Sequence, residues 1–294
     1  MTKTPYRGTG VAVVTPFTAG LDVDYQSLQQ LIDYLITAGV DYLVAMGTTA
    51  ESSTISMREK QEIFTCFVET TANRVPLIMG LGGNDTAAVA KSLQSVDCSG
   101  FSAILSVSPY YNRPSQEGIY QHYKALDAVT PLPLLLYNVP GRTSSNITAE
   151  TSLRIAHDCP NVIGMKEASG DLSQGKAILA GRPEGFVLLS GDDETAIPLI
   201  QSGADGVISV IAGGFPKLFM QGVQAALDAD NGTADQISKR IQPILHHLYA
   251  EGNPGGIKAV LSQRGIIENQ LRLPLVPVSD AVQTALRSFV DKYE

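Results

Sequence analysis

The stretch DYQSLQQLIDYLITAGVDYLVAMGT, residues 24–48, changes its period part-way along. Leu28, Leu31, Ile32, Leu35 and Ile36 recur at the three- and four-residue spacing that gathers side chains on one stripe of a helix, and Gly39 ends the pattern. From Tyr42 the run YLVAMGT is almost continuously apolar over the length of one strand, as expected of a parallel strand buried on both faces. A helix that passes within a few residues into a two-faced strand is the building unit of an α/β protein.

The strand half of the unit recurs at fairly even intervals: GVAVVTPF (10–17), YLVAMGT (42–48), PLIMGLG (76–82), SAILSVSP (102–109), LLLYNVP (134–140), VIGMKEAS (162–169), FVLLSGDD (186–193) and GVISVIA (206–212). Helical segments lie between them; one begins at Ser56 with Glu59 three residues on, a capping-box pattern. Eight strand-then-helix units predict a (β/α)8 TIM barrel, with a doubly wound open sheet as the alternative. A single barrel fills about 250 residues, so a chain of 294 has chain to spare. The segments ADQISKRIQPILHHLYAEG, PGGIKAVLSQRG and SDAVQTALRSFVDKY predict a C-terminal helical extension, giving a catalytic barrel over 1–224 and the extension over 225–294.

Hydrophobic residues make up 44% and charged residues 17%, a composition able to bury a large core. The net charge is −8 with Lys and Arg scattered, so the basic footprint of a nucleic-acid binder is missing and an anionic substrate needs a local positive pocket. Residues 1–17 lack the apolar core of a leader, and no apolar run approaches a membrane span; a cytoplasmic protein is expected. Cys66, Cys98 and Cys159 are widely spaced and odd in number, which predicts buried, reduced thiols rather than disulfides or a metal pair. The adjacent His246 and His247 point in different directions on a helix, so no catalytic metal is expected, and no cofactor is called for.

Lys166 stands near the end of the sixth apolar run. Strand alternation places Val162, Gly164 and Lys166 on one face and Met165 and Glu167 on the other, so an inward Lys166 has no direct partner in Glu167. The C-terminal ends of barrel strands are where function gathers, and a desolvated lysine there has a lowered pKa and a nucleophilic amine able to form a Schiff base with a ketone. The other reading of Lys166 is a side chain that snorkels outward or pairs with a carboxylate at the rim. The remaining lysines lie in more polar or helix-like contexts. The second run ends in Thr48 and Thr49, able to hold a carboxylate or to form an ordinary turn; the fifth ends with Tyr137 and Arg142, either a phenol and a guanidinium at the mouth or a core aromatic and a surface charge. Tyr110 and Tyr111 sit on a proline-bounded loop, a setting that equally suits packing or an interface.

Taken in order and spacing, GTTAE, SPYYNRPSQEG, YNVPGRT, IGMKEASGD, LSGDD and GVISV resemble the class I pyruvate-dependent aldolases of the dihydrodipicolinate synthase family, and the resemblance covers nearly the whole chain. It implies that Lys166 forms the Schiff base with pyruvate, and that Tyr137, Thr48 and Tyr111 form a proton relay, with Tyr111 supplied by a neighbouring subunit. It further implies that L-aspartate 4-semialdehyde is the second substrate, held by Arg142, with Thr49, Gly191 and Ile208 around the pyruvate. A homo-oligomer, a dimer of dimers, is implied as well. Sister aldolases acting on N-acetylneuraminate or 2-keto-3-deoxy sugar acids share the lysine and tyrosine; Arg142 suits a short carboxylated aldehyde better than a sugar.

The chain departs from the family pattern at Ala50, where a glycine is usual, and at Gly213 and Gly214 after the eighth run, a pair that also occurs in the phosphate sites of other barrels. In feedback-inhibited members a lysine site at the dimer interface uses histidines and a glutamate; this chain keeps Asn84 and Tyr110 but has Met57, Lys60 and Ala88 at those places, so weak or absent inhibition by lysine is expected.

Overall fold

The computed structural model describes residues 6–293; residues 1–5 of the amino-terminal stretch read above for a leader lie outside it. Eight parallel strands, β1 (Gly8–Ala12), β2 (Tyr42–Ala45), β3 (Leu77–Gly80), β4 (Ala103–Val107), β5 (Leu134–Asn138), β6 (Val162–Glu167), β7 (Val187–Ser190) and β8 (Gly206–Ser209), close in sequence order with β8 on β1. The open-sheet alternative is excluded by that closure. The strands are shorter than the apolar runs because the last residues of each run leave the sheet to build the loops; β8 stops at Ser209 and its run ends in a tight turn, Ile211–Gly213.

Both faces of the strands are buried, for different reasons. Tyr42, Val44, Ile78, Leu105, Leu135, Leu189 and Ile208 fill the barrel, while Leu43, Met79, Ile104, Leu136, Met165 and Leu188 face the helices. That arrangement removes the polar half of the usual strand alternation. Gly10 leaves room for Tyr42: a Cβ on Gly10 would lie 1.9 Å from the ring, whose hydroxyl crosses the barrel to donate to Val207 O at 2.9 Å.

The expected helices form where their caps are. Asp24 caps Tyr25–Ala38 and Gly39 ends it in the left-handed conformation, φ 96°. Ser56 and Glu59 close the capping box of Met57–Thr71. After Pro216–Leu227 come three further helices, Asn231–Tyr249, Gly255–Gln263 and Asp280–Lys292, matching the three C-terminal segments. Gly255–Gln263 is buried from Gly255 through Leu261, as a helix apolar on all sides must be.

One expectation about β6 is corrected. Its register against β5 slips by one residue, Leu134 pairing Val162 but Leu135 pairing Gly164. The bulge at Ile163 puts Val162 in the outer cluster with Met165 and packs Ile163 against the inner one, so Val162 does not share the inner face with Gly164 and Lys166.

Candidate active site

Lys166 lies at the C-terminal end of β6, in register with Tyr137 on β5 and Leu189 on β7. It is 6% exposed, and its Nζ stands 4.3 Å from the centroid of the Tyr137 ring. Among the described residues no carboxylate forms an ion pair with it. The neighbouring Glu167 points out of the barrel and is fully occupied, accepting from Asn138 Nδ2 at 3.0 Å, Ser169 N at 2.6 Å and Gln174 Nε2 at 2.8 Å. That network holds the parity of the strand end and so keeps Lys166 inward. Gly191, just past β7, is the counterpart of the amine's stem: a Cβ there would lie 2.7 Å from Lys166 Cε and 2.6 Å from Ala168 Cβ. Only a residue without a side chain lets Lys166 stand where it does.

Thr48, Tyr137 and Arg142 line one cavity of about 670 Å³ at this end of the barrel. Thr48 opens a single turn, Thr48–Ala50, whose positive-φ residues are the flanking Met46 (φ 55°) and Glu51 (φ 55°). Ala50 therefore needs no glycine and is buried in the core. The Thr49 side chain turns away and accepts from Asn253 Nδ2 at 2.9 Å. Arg142, on the short helix Pro140–Thr143, is exposed and donates through Nη2 to Asn253 O at 3.3 Å. Ile208 lies on the inner face of β8, fully buried.

Tyr111 is not brought to this group by its own chain. It is 89% exposed and adopts φ 72°, an unusual conformation for a residue with a side chain. Its loop is held by Asn84 Nδ2 donating to Tyr110 O at 3.1 Å and Asn112 Nδ2 donating to Asn84 O at 2.9 Å. The same cavity runs outward to Asn84, Tyr110, Met57, Lys60 and Ala88, so the positions compared above with a lysine site do converge. Burial holds the Lys60 ammonium below its ordinary pKa.

This geometry has known relatives. The model of the Dihydrodipicolinate synthetase family matches residues 5–293. The chain is 46% identical to the 4-hydroxy-tetrahydrodipicolinate synthase of Flavobacterium psychrophilum over 97% of both chains, and 45% identical to that of Phocaeicola vulgatus over 99% of this chain and 98% of the other. The crystal structure of dihydrodipicolinate synthase from Thermotoga maritima superposes with a TM-score of 0.95 at 37% identity, covering 98% of this chain and 99% of that one. The chain belongs to the dihydrodipicolinate synthetase family.

Within this dihydrodipicolinate synthetase family chain, several contacts at the mouth come from the C-terminal helices and were not anticipated. Lys258 lies on a helix, as read for the lysines other than Lys166, yet it is fully buried, 2.5 Å from Glu51 Oε1 and 2.8 Å from Gln270 O. Burial pushes its ammonium down to about 8 even with Glu51 beside it. The apolar run PGGIKAVL contained the signal, a lysine with no polar neighbours. Asp193, after β7, accepts from Ile211 N at 2.8 Å and from Tyr249 Oη at 2.6 Å, and burial raises its carboxyl pKa. Gly213 and Gly214 serve packing: a Cβ on Gly214 would lie 2.5 Å from Val260 Cγ1 on the helix Gly255–Gln263. Of the cysteines expected to be buried, Cys98 is only half-buried.

Proposed function

We propose that the protein condenses pyruvate with L-aspartate 4-semialdehyde to 4-hydroxy-tetrahydrodipicolinate, the entry step to diaminopimelate and lysine. The observation that carries this reading is Lys166: an amine buried at the barrel mouth, against the Tyr137 ring, with no carboxylate paired to it among the described residues. Lys166 Nζ attacks C2 of pyruvate and the carbonyl oxygen leaves as water, giving an imine. Loss of a proton from the methyl carbon gives the enamine, and that carbon attacks the aldehyde, whose oxygen takes up a proton. The amino group of the aldehyde substrate then attacks C2, displacing Lys166 and closing the ring.

Tyr137 is the group placed to move these protons, since its ring lies against Lys166 and it shares the cavity with Thr48. Backbone N–H groups of the turn Thr48–Ala50 suit the pyruvate carboxylate, Gly191 and Ile208 bound its other side, and Arg142 offers a two-pronged donor to the carboxylate of the aldehyde. Tyr111 completes the relay from a second copy of the chain: its exposure and its outward loop are what such a role requires. The active assembly is then at least a dimer, and a dimer of dimers by analogy with the family. Among the described residues no helix is long and apolar enough to cross a membrane, and a biosynthetic enzyme of this kind fits the cytoplasm.

Borohydride reduction in the presence of pyruvate, followed by peptide mass mapping, tests this directly. A reduced adduct on the peptide carrying Lys166 is expected, and an unmodified peptide would remove the Schiff-base reading altogether.

A further inference from the structure

The loop between the helices Asn231–Tyr249 and Gly255–Gln263 crosses the barrel mouth and is fastened at both ends. At one end Tyr249 Oη donates to Asp193, which in turn accepts from the backbone N–H groups of Val210 and Ile211 beyond β8. At the other end Asn253 touches two residues that come from different strand ends. Its Nδ2 donates to Thr49 Oγ1 at 2.9 Å, and its backbone carbonyl accepts from Arg142 Nη2 at 3.3 Å. Residues 49 and 253 are 204 positions apart, and residues 142 and 253 are 111 apart.

We infer that Asn253 is a positioning residue that fixes the guanidinium of Arg142 through its bond to Thr49, and so sets how the carboxylate of the second substrate is held; this rests on the functional reading above. The chain of contacts runs from Thr49 Oγ1 through the Asn253 side chain to the Asn253 carbonyl and on to Arg142. Arg142 is exposed on a four-residue helix, and a long exposed guanidinium without an acceptor samples many rotamers. The Asn253 carbonyl selects one of them. The other end of the Asn253 amide argues for this role over simple stability. Its Oδ1 is buried with no hydrogen-bond partner among the described residues, so the amide is committed to Thr49 alone.

The test is steady-state kinetics with each substrate varied in turn, on the full-length protein, for Asn253→Ala, Thr49→Val, the two combined, and Thr49→Ser. Asn253→Ala keeps the backbone carbonyl that Arg142 uses but cuts the neutral bond to Thr49 that holds it in place, a loss sufficient for a roughly three- to tenfold rise in KM for the aldehyde, with pyruvate KM and borohydride trapping of pyruvate changed less than about twofold. Thr49→Val keeps the backbone of the turn but cuts the same tie, so it should give the same selective rise. The double variant should be no worse than either single one, and Thr49→Ser, which retains the hydroxyl, should show a smaller selective rise than Thr49→Val. If Asn253→Ala does not fold, Thr49→Val against Thr49→Ser reads the same bond from its other end. Equal changes in both KM values, effects that multiply in the double variant, or unchanged kinetics would overturn the inference. Failure of the parent protein to trap pyruvate at Lys166 would instead remove the reading on which it rests.

Discussion

Replacing Lys258 by Met takes away the cation that neutralises Glu51, the residue that closes the turn Thr48–Ala50. Both side chains are wholly buried, with Nζ 2.5 Å from Oε1. With the ammonium gone, the Glu51 carboxylate keeps the backbone N–H of Arg272, 3.0 Å from Oε2, but has lost its counter-charge. Breaking a buried pair from one side costs about 3–5 kcal/mol. For a chain of this size each kcal/mol lowers the melting temperature by about 2–4 °C, so a fall of roughly 6–20 °C is expected. The pair itself is a different matter. Burial drives the Lys258 ammonium down to about 8 in spite of Glu51, so desolvation outweighs the attraction. The double variant Glu51→Gln/Lys258→Met, which buries no charge, should therefore regain most of the lost stability. Denaturant unfolding of the four proteins at pH 7 measures the cycle. If the single Lys258→Met change costs less than about 1 kcal/mol, or if the double variant is as unstable as the sum of the singles, the account of this buried pair is wrong.

Tyr137→Phe should still trap pyruvate on Lys166 but turn over about 10²- to 10⁴-fold more slowly, and near-parental turnover would exclude Tyr137 from proton transfer. Mixing Tyr111→Phe chains with Lys166→Ala chains, each inactive alone, should restore activity through hybrids that own one intact site; hybrids that form and stay silent would refute a shared site. Lysine should inhibit weakly or not at all, because Ala88 offers no oxygen to its extra ammonium and Lys60, half-buried in the same cavity, adds a like charge; tight, saturable inhibition in an activity titration would contradict this. His122 is 3% exposed, with Nδ1 2.9 Å from Thr86 Oγ1 and Nε2 buried without a partner among the described residues, and burial lowers its pKa from 6.5 to about 4. Between those two values the unfolded chain binds the extra proton and the folded one does not, so stability falls as pH drops through 6.5 towards 4, by about 3 kcal/mol. His122→Asn should flatten that part of the profile, and parallel unfolding curves for the two proteins would show that His122 is not responsible.

Much of this protein is legible in its sequence because the relevant forces are local. A strand buried on both faces must be apolar at every position, and a helix on a barrel must be apolar on one stripe, so residues 24–48 already contain the repeating unit and its eightfold recurrence gives the closed barrel. Lys166 stands out on the same ground: an ammonium is out of place within an apolar run. Ser56, Glu59 and Gly39 announce helix ends because a cap is settled within four residues.

What escaped the sequence depends on contacts that are distant in the chain or on a single inserted residue. The bulge at Ile163 reverses the facing of Val162, and alternation read from one strand cannot reveal it, since the slip is defined only against β5. The need for glycine at position 191 exists because Ala168 and Lys166 arrive from β6 and the loop after it. The partners of Thr49, Arg142 and Glu51 include Asn253, on a loop, and Lys258, on a helix, both in the segment read as an extension to the barrel. By itself the sequence determined the barrel, its order of elements and the place of Lys166 at the end of an apolar strand, because each follows from which side chains must avoid water. Only the tertiary structure decided how the mouth is held, because closing the barrel and folding the last helices back across it brings together residues whose spacing along the chain carries no trace of their meeting.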